Sequence, residues 1–177
     1  MGFLRHILAA VVVLLLGLVA APALAQDDAR AKARELGDRG FELFQERRFE
    51  EANAHFRRAE ALFHAPTLQL MIARTYERLD QLADAAAMYR QIVEEELSVD
   101  APDAWRDAQR TAGEELATLT PRVPKLVFTP AADVSVTIAG QPAPLRPPDA
   151  GGDAEARLAE ANPGSHAVRA SRAGTVI

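Results

Sequence analysis

Of the four histidines in the chain, His6 falls in an apolar N-terminal stretch, while His55, His64 and His166 lie beyond it. Imidazoles are the side chains most suited to holding a metal or moving a proton near neutral pH. None of the three stands at a metal-ligand spacing from another histidine, and there is no cysteine to add a thiolate. His55 is off the apolar stripe of its helix and is expected to face solvent; His166 is expected to point into a small sheet beside Val168. Ser165 and His166 are neighbours, and on a strand neighbours point to opposite faces, which argues against a nucleophile and its base. Glu94, Glu95 and Glu96 are consecutive at a helix end and diverge, so they read as a solvated face. The sequence has no G-x-S-x-G elbow, P-loop or dinucleotide fingerprint. The expectation is a protein that is not an enzyme and uses neither cofactor nor metal.

Recognition is the chemistry that remains, and it depends on the elements that present a surface. In "FEEANAHFRRA", Phe49, Ala52, Phe56 and Ala59 recur at steps of three and four, which places them on one stripe of a helix. Moved along by 33 residues, they land on Leu82, Ala85, Tyr89 and Ile92. Gly40 and Leu43 land on Ala73 and Tyr76 at the same offset. Small meets small and large meets large, with Ala59 against Ile92 the one exception, which is the signature of an internal repeat. Each unit reads as helix, tight turn, helix, with Glu46-Arg47-Arg48 and Leu79-Asp80-Gln81 at the turns and Pro66-Thr67 at a helix start.

These positions resemble the tetratricopeptide repeat, in which small and large residues let helices interlock. The chain departs from that pattern at the turns, where Arg47 and Asp80 replace a small residue, and at Gln69, which replaces the apolar type found at Leu36. The resemblance implies a groove lined by the first helix of each pair, at Phe41, Phe44 and Gln45 in one unit and Arg74, Glu77 and Arg78 in the next. Two aromatics and two arginines there would seat an apolar anchor and then a carboxylate. The competing reading is that Phe44 closes the core and the charged residues pair along their own helix.

Two hairpins would leave an apolar end uncovered. Trp105, Ala108, Ala112, Leu116 and Leu119 follow helical steps and are read as a capping helix, with Trp105 as its buried anchor. At Pro121 the character changes. Val134, Val136 and Ile138 alternate with Ser135 and Thr137, then come a Pro- and Gly-rich loop containing "PAPLRPP", a turn at Asn162-Pro163-Gly164 and a second alternating run through His166, Val168 and Ala170. The "V-x-V-x-I-x-G" run ending at Gly140 and the "P-G-x-H-x-V-x-A-x-x-x-G" run from Pro163 to Gly174 resemble the PEGA domain, a small β-sandwich module of bacterial envelope proteins.

The N-terminus carries Arg5, an apolar run and Ala23-Leu24-Ala25 before Gln26, the parts of a secretory signal peptide cleaved after Ala25. The alternative is an uncleaved anchor helix. The expected organisation is α+β: a signal peptide over 1–25, two repeat units with a capping helix over 26–120, and a small antiparallel β-sandwich-like module over 121–177, expected to be a truncated member. Residues 26–120 hold 13 Lys and Arg against 20 Asp and Glu, which argues against nucleic acid, whose phosphates need a basic face. The resulting expectation is an exported adaptor in the periplasm or envelope that binds a protein partner and touches membrane only through an uncleaved N-terminal segment. The alternative function is a glycan-binding β-module with the helices as spacer.

Overall fold

The computed structural model describes residues 26–129, 134–143, 145, 157–172 and 175–176. The expected signal segment 1–25, with its cleavage site after Ala25, lies outside them. So do Gly174 and most of the "PAPLRPP" loop. The described residues form an α+β protein of five α-helices followed by short antiparallel sheets. No helix among them is long and apolar enough to cross a membrane.

Helix α1 covers residues 26–45, and α2 (Phe49–Leu62), α3 (Pro66–Arg78), α4 (Leu82–Glu94) and α5 (Asp103–Leu119) follow. Each of α2, α3 and α4 packs on the next helix, and α3 also packs on α5. Gly40 explains how closely α1 approaches α2, because a β-carbon there would lie 2.7 Å from Phe56 Cε1. Leu43, Ala52, Phe56 and Ile72 form one buried cluster. A second contains Ala73, Ala85, Tyr89 and Ile92 together with Ala108, Ala112 and Leu119 of α5. Ala59 and Leu82 are buried as well, while Phe49 and Tyr76 are half-buried.

The two turns repeat the offset of 33 in their backbone. Arg47 and Asp80 both adopt left-handed φ, 63° and 59°. Arg48 N–H donates to Leu43 O, and Gln81 N–H to Tyr76 O, each at 2.9 Å. The next N–H back, on Arg47 and on Asp80, bonds Phe44 O and Glu77 O. This is a Schellman ending, which normally takes glycine at the left-handed residue. Pro66 opens α3, where its missing N–H costs no helical bond.

After α5 a 3-10 turn (Thr120–Arg122) leads into β1 (Lys125–Phe128), β2 (Val134–Ile138), β3 (Gln141–Pro142), β4 (Arg157–Glu160), β5 (Val168–Arg172) and β6 (Thr175–Val176). β1 pairs with β4, and the other strands form a sheet in the order β3-β2-β5-β6. Ala139 and Gly140, both with positive φ, make the two-residue turn from β2 to β3. The β part is tied to the helices. Val123 belongs to the second helical cluster, Ala161 N–H donates to Pro124 O at 3.1 Å, and Arg90 Nη2 binds both carboxylate oxygens of Glu160 at 2.6 and 2.8 Å. Asn162 Oδ1 accepts from the N–H groups of Ala83 and Asp84, at 2.8 and 3.4 Å, at the start of α4.

Three expected placements differ. His55 is half-buried, and its Nδ1 is enclosed without a hydrogen-bond partner among the described residues. His166 precedes β5 in a loop, where its Nε2 bonds Asn162 O at 2.5 Å, and Val168 beyond it is 48% exposed. The strand itself begins at Val168, two residues after His166, and Val168 to Arg172 do not alternate in burial as the spacing predicted. Trp105 is half-buried at the start of α5 and outside both clusters; its ring meets Phe63 edge-on with centroids 6.4 Å apart. The small residues Ala108 and Ala112, with Leu119, form the contact with α4, since they let the helix axes come close.

Candidate functional site

Helices α1, α3 and α5 border a cleft of about 650 Å3. Phe44, Arg74, Glu77 and Arg78 line it, so four of the six groove residues expected from the tetratricopeptide resemblance come together. Phe41 lines a separate cavity and stands 50% exposed. Gln45 is exposed at the end of α1 and lines neither.

Two ion pairs between elements join the α3 side of the cleft to α5 and the segment after it. Arg74 grips the Glu115 carboxylate through Nε and Nη2, at 2.6 to 3.1 Å, which joins α3 to α5. This two-pronged bond is the main reason the Arg74 guanidinium is held above its ordinary pKa. Arg122 Nη1 reaches Glu77 Oε1 at 2.6 Å, binding the segment after α5 to α3. Phe44 packs beside the first core cluster and meets Phe49 edge-on at 5.3 Å. Arg78 differs from both arginines: it makes no ion pair among the described residues, and its guanidinium lies 5.9 Å from the Phe44 ring centroid. Tyr89 is buried below, and burial first, then the Glu115 carboxylate, pushes its phenol well above the usual range. It therefore remains a neutral donor.

The sequence reading missed Glu114, Glu115, Thr118 and Arg122, which complete the cleft. The offset of 33 does not place them, because the connector 95–102 is longer than the three-residue turns inside the units. Acidic residues in α5 facing arginines in α3 were the available signal. A second cluster passed over is His64, whose Nδ1 meets Glu60 and whose Nε2 meets Glu95 Oε1 at 2.9 Å. The bonds to Glu95 and then Glu60 raise its pKa. Among the described residues no group of His, Asp and Glu is arranged to hold a metal ion.

Compared with protein-family models, with curated proteins and with solved structures, the chain matches none.

Proposed function

We propose that this chain is a non-enzymatic adaptor of the bacterial cell envelope, built from two tetratricopeptide-like hairpins, a capping helix and a PEGA-like β-sandwich module. A protein partner is bound along the face of α1, α3 and α5. The observation that carries the reading is the convergence of Phe44, Arg74, Glu77 and Arg78 on one cleft. Those are groove positions that the tetratricopeptide resemblance implies, and the offset of 33 on which that resemblance rests also relates the left-handed turns at Arg47 and Asp80.

The mechanism is binding without chemistry. The bidentate Arg74–Glu115 pair and the Arg122–Glu77 pair fix the walls before a partner arrives, so little side-chain ordering opposes association. Their charges are already matched, while Arg78 makes no ion pair among the described residues and so can meet a partner carboxylate, and Phe41 in the neighbouring cavity offers an apolar contact. Export is read from the pattern of residues 1–25 alone.

Cross-linking in intact cells followed by mass spectrometry reports neighbour and compartment together. The variant carrying Phe41→Ala and Arg78→Ala is expected to lose its envelope cross-link while circular dichroism shows unchanged helix content, since both side chains are exposed. An undiminished cross-link removes the groove from this reading.

A further inference from the structure

Beside the cleft, the same three helices, joined by α2 through Phe56, border a second cavity of about 380 Å3. Its apolar lining includes Phe41 from α1, Phe63 from the connector after α2, Leu68 and Met71 from α3, and Trp105 from α5. Gly37 contributes by omission: a β-carbon there would come within 3.2 Å of Leu68 Cδ2. Phe41, half in water, marks an apolar surface that a bound side chain would cover.

The charge around this cavity runs against the rest of the molecule. The chain as a whole is net −5, yet the ionisable groups at the cavity are Arg30, Arg34 and the single acid Asp38. Neither arginine has an ion-pair partner among the described residues, whereas Arg74 and Arg122 in the adjoining cleft are neutralised by Glu115 and Glu77. Arg30 lies with its guanidinium 5.3 Å from the Phe63 ring centroid, and Arg34 is one helical turn further along α1. A pocket that is apolar inside and cationic on one side selects for the opposite pattern in its occupant.

We propose that this cavity is the anchor subsite for an acidic peptide segment of the partner. One bulky apolar side chain enters between Phe41, Met71 and Trp105, and carboxylates on flanking residues pair with Arg30 and Arg34. Asp38 confines those carboxylates to the Arg30 and Arg34 side. The inference rests on the groove reading above and names the chemistry of what the groove holds.

Trp105 is the chain's one tryptophan, so occupancy reports itself. A random peptide library displayed on phage is panned against the purified protein, and enriched tryptophan-free peptides are titrated while Trp105 emission is followed. The expected consensus is a Phe, Leu or Met beside Asp or Glu, with a shift in emission on binding. Arg30→Glu with Arg34→Glu should weaken binding by about tenfold or more, and Arg30→Lys with Arg34→Lys should retain most of it; circular dichroism checks that both variants fold. A neutral or basic consensus, no enrichment, or binding that leaves Trp105 emission unchanged overturns the proposal. Acidic peptides that respond to Arg78→Ala but not to charge reversal at Arg30 and Arg34 overturn this subsite and leave the groove standing. The groove itself fails only if the envelope cross-link survives loss of Phe41 and Arg78.

Discussion

Gln69 and His64 carry the residue-scale consequences. Gln69 occupies the repeat position held by Leu36 one unit earlier, is 3% exposed, and its Oε1 is enclosed without a hydrogen-bond partner among the described residues. A buried acceptor left unmade costs about 1–3 kcal/mol. Gln69→Leu, close in volume, is therefore expected to stabilise the protein by about 1 kcal/mol, read as a higher urea midpoint. The Asn53 Nδ2 to Thr75 Oγ1 bond, at 2.6 Å between α2 and α3, shows the contrast of a buried amide that is paired. His64 sits between Glu95 and Glu60 with its pKa raised above 6.5. A group that binds its proton more tightly when folded adds stability that is complete below the unfolded value and is lost as pH rises through the folded one. The urea midpoint of the wild type should therefore exceed that of His64→Gln at about pH 5.5, and the gap should narrow at about pH 8.5. A gap independent of pH would show that the ring contributes by packing alone.

At the scale of the element, the turns are where this chain accepts strain. Left-handed backbone costs a residue with a β-carbon about 1–2 kcal/mol relative to glycine, and both turns place such a residue there, at φ 63° and 59°. Their side chains do not explain the choice: Arg47 and Asp80 are exposed and make no ion pair among the described residues. Asp80→Gly and Arg47→Gly are each expected to raise stability by up to about 1 kcal/mol, after the extra chain entropy of glycine is set against the relieved strain. Thermal denaturation of the single variants and the double variant checks this, with near-additive gains because the turns belong to different hairpins. A loss of stability would place compensating contacts at the turns.

The whole molecule is held together by contacts that cross from the strands to the helices. Glu160 and Asn162 stand at the end of β4, and both act on α4, one through Arg90 and the other by capping its first turn. The residue at the N-cap position, Gln81, makes no side-chain cap of its own, so Asn162 supplies from a distance what a local Ser or Asp usually gives. Asn162→Ala is expected to cost about 1 kcal/mol and to speed hydrogen exchange at the amides of Ala83 and Asp84, within the helical part. Unchanged exchange there would mean that water replaces the cap without loss.

The helical elements, their order and their apolar faces were legible in the sequence because periodicity is a local property: Ala52, Phe56, Ala85 and Tyr89 announce the buried stripe by spacing alone. The α+β class was legible for the same reason, through alternation at Val134, Val136 and Ile138. Phe44, Arg74, Glu77 and Arg78 were expected together only through the resemblance to the tetratricopeptide repeat, since the offset of 33 by itself assigns no groove. Tertiary structure alone decided which arginines are already neutralised, that Trp105 opens onto a cavity, that His55 is enclosed, and that Asn162 caps a helix 78 residues away. Spacing along a chain fixes which side of an element a residue occupies. What meets that side depends on the lengths of irregular connectors such as 95–102 and on how elements cross, and neither leaves a periodic trace.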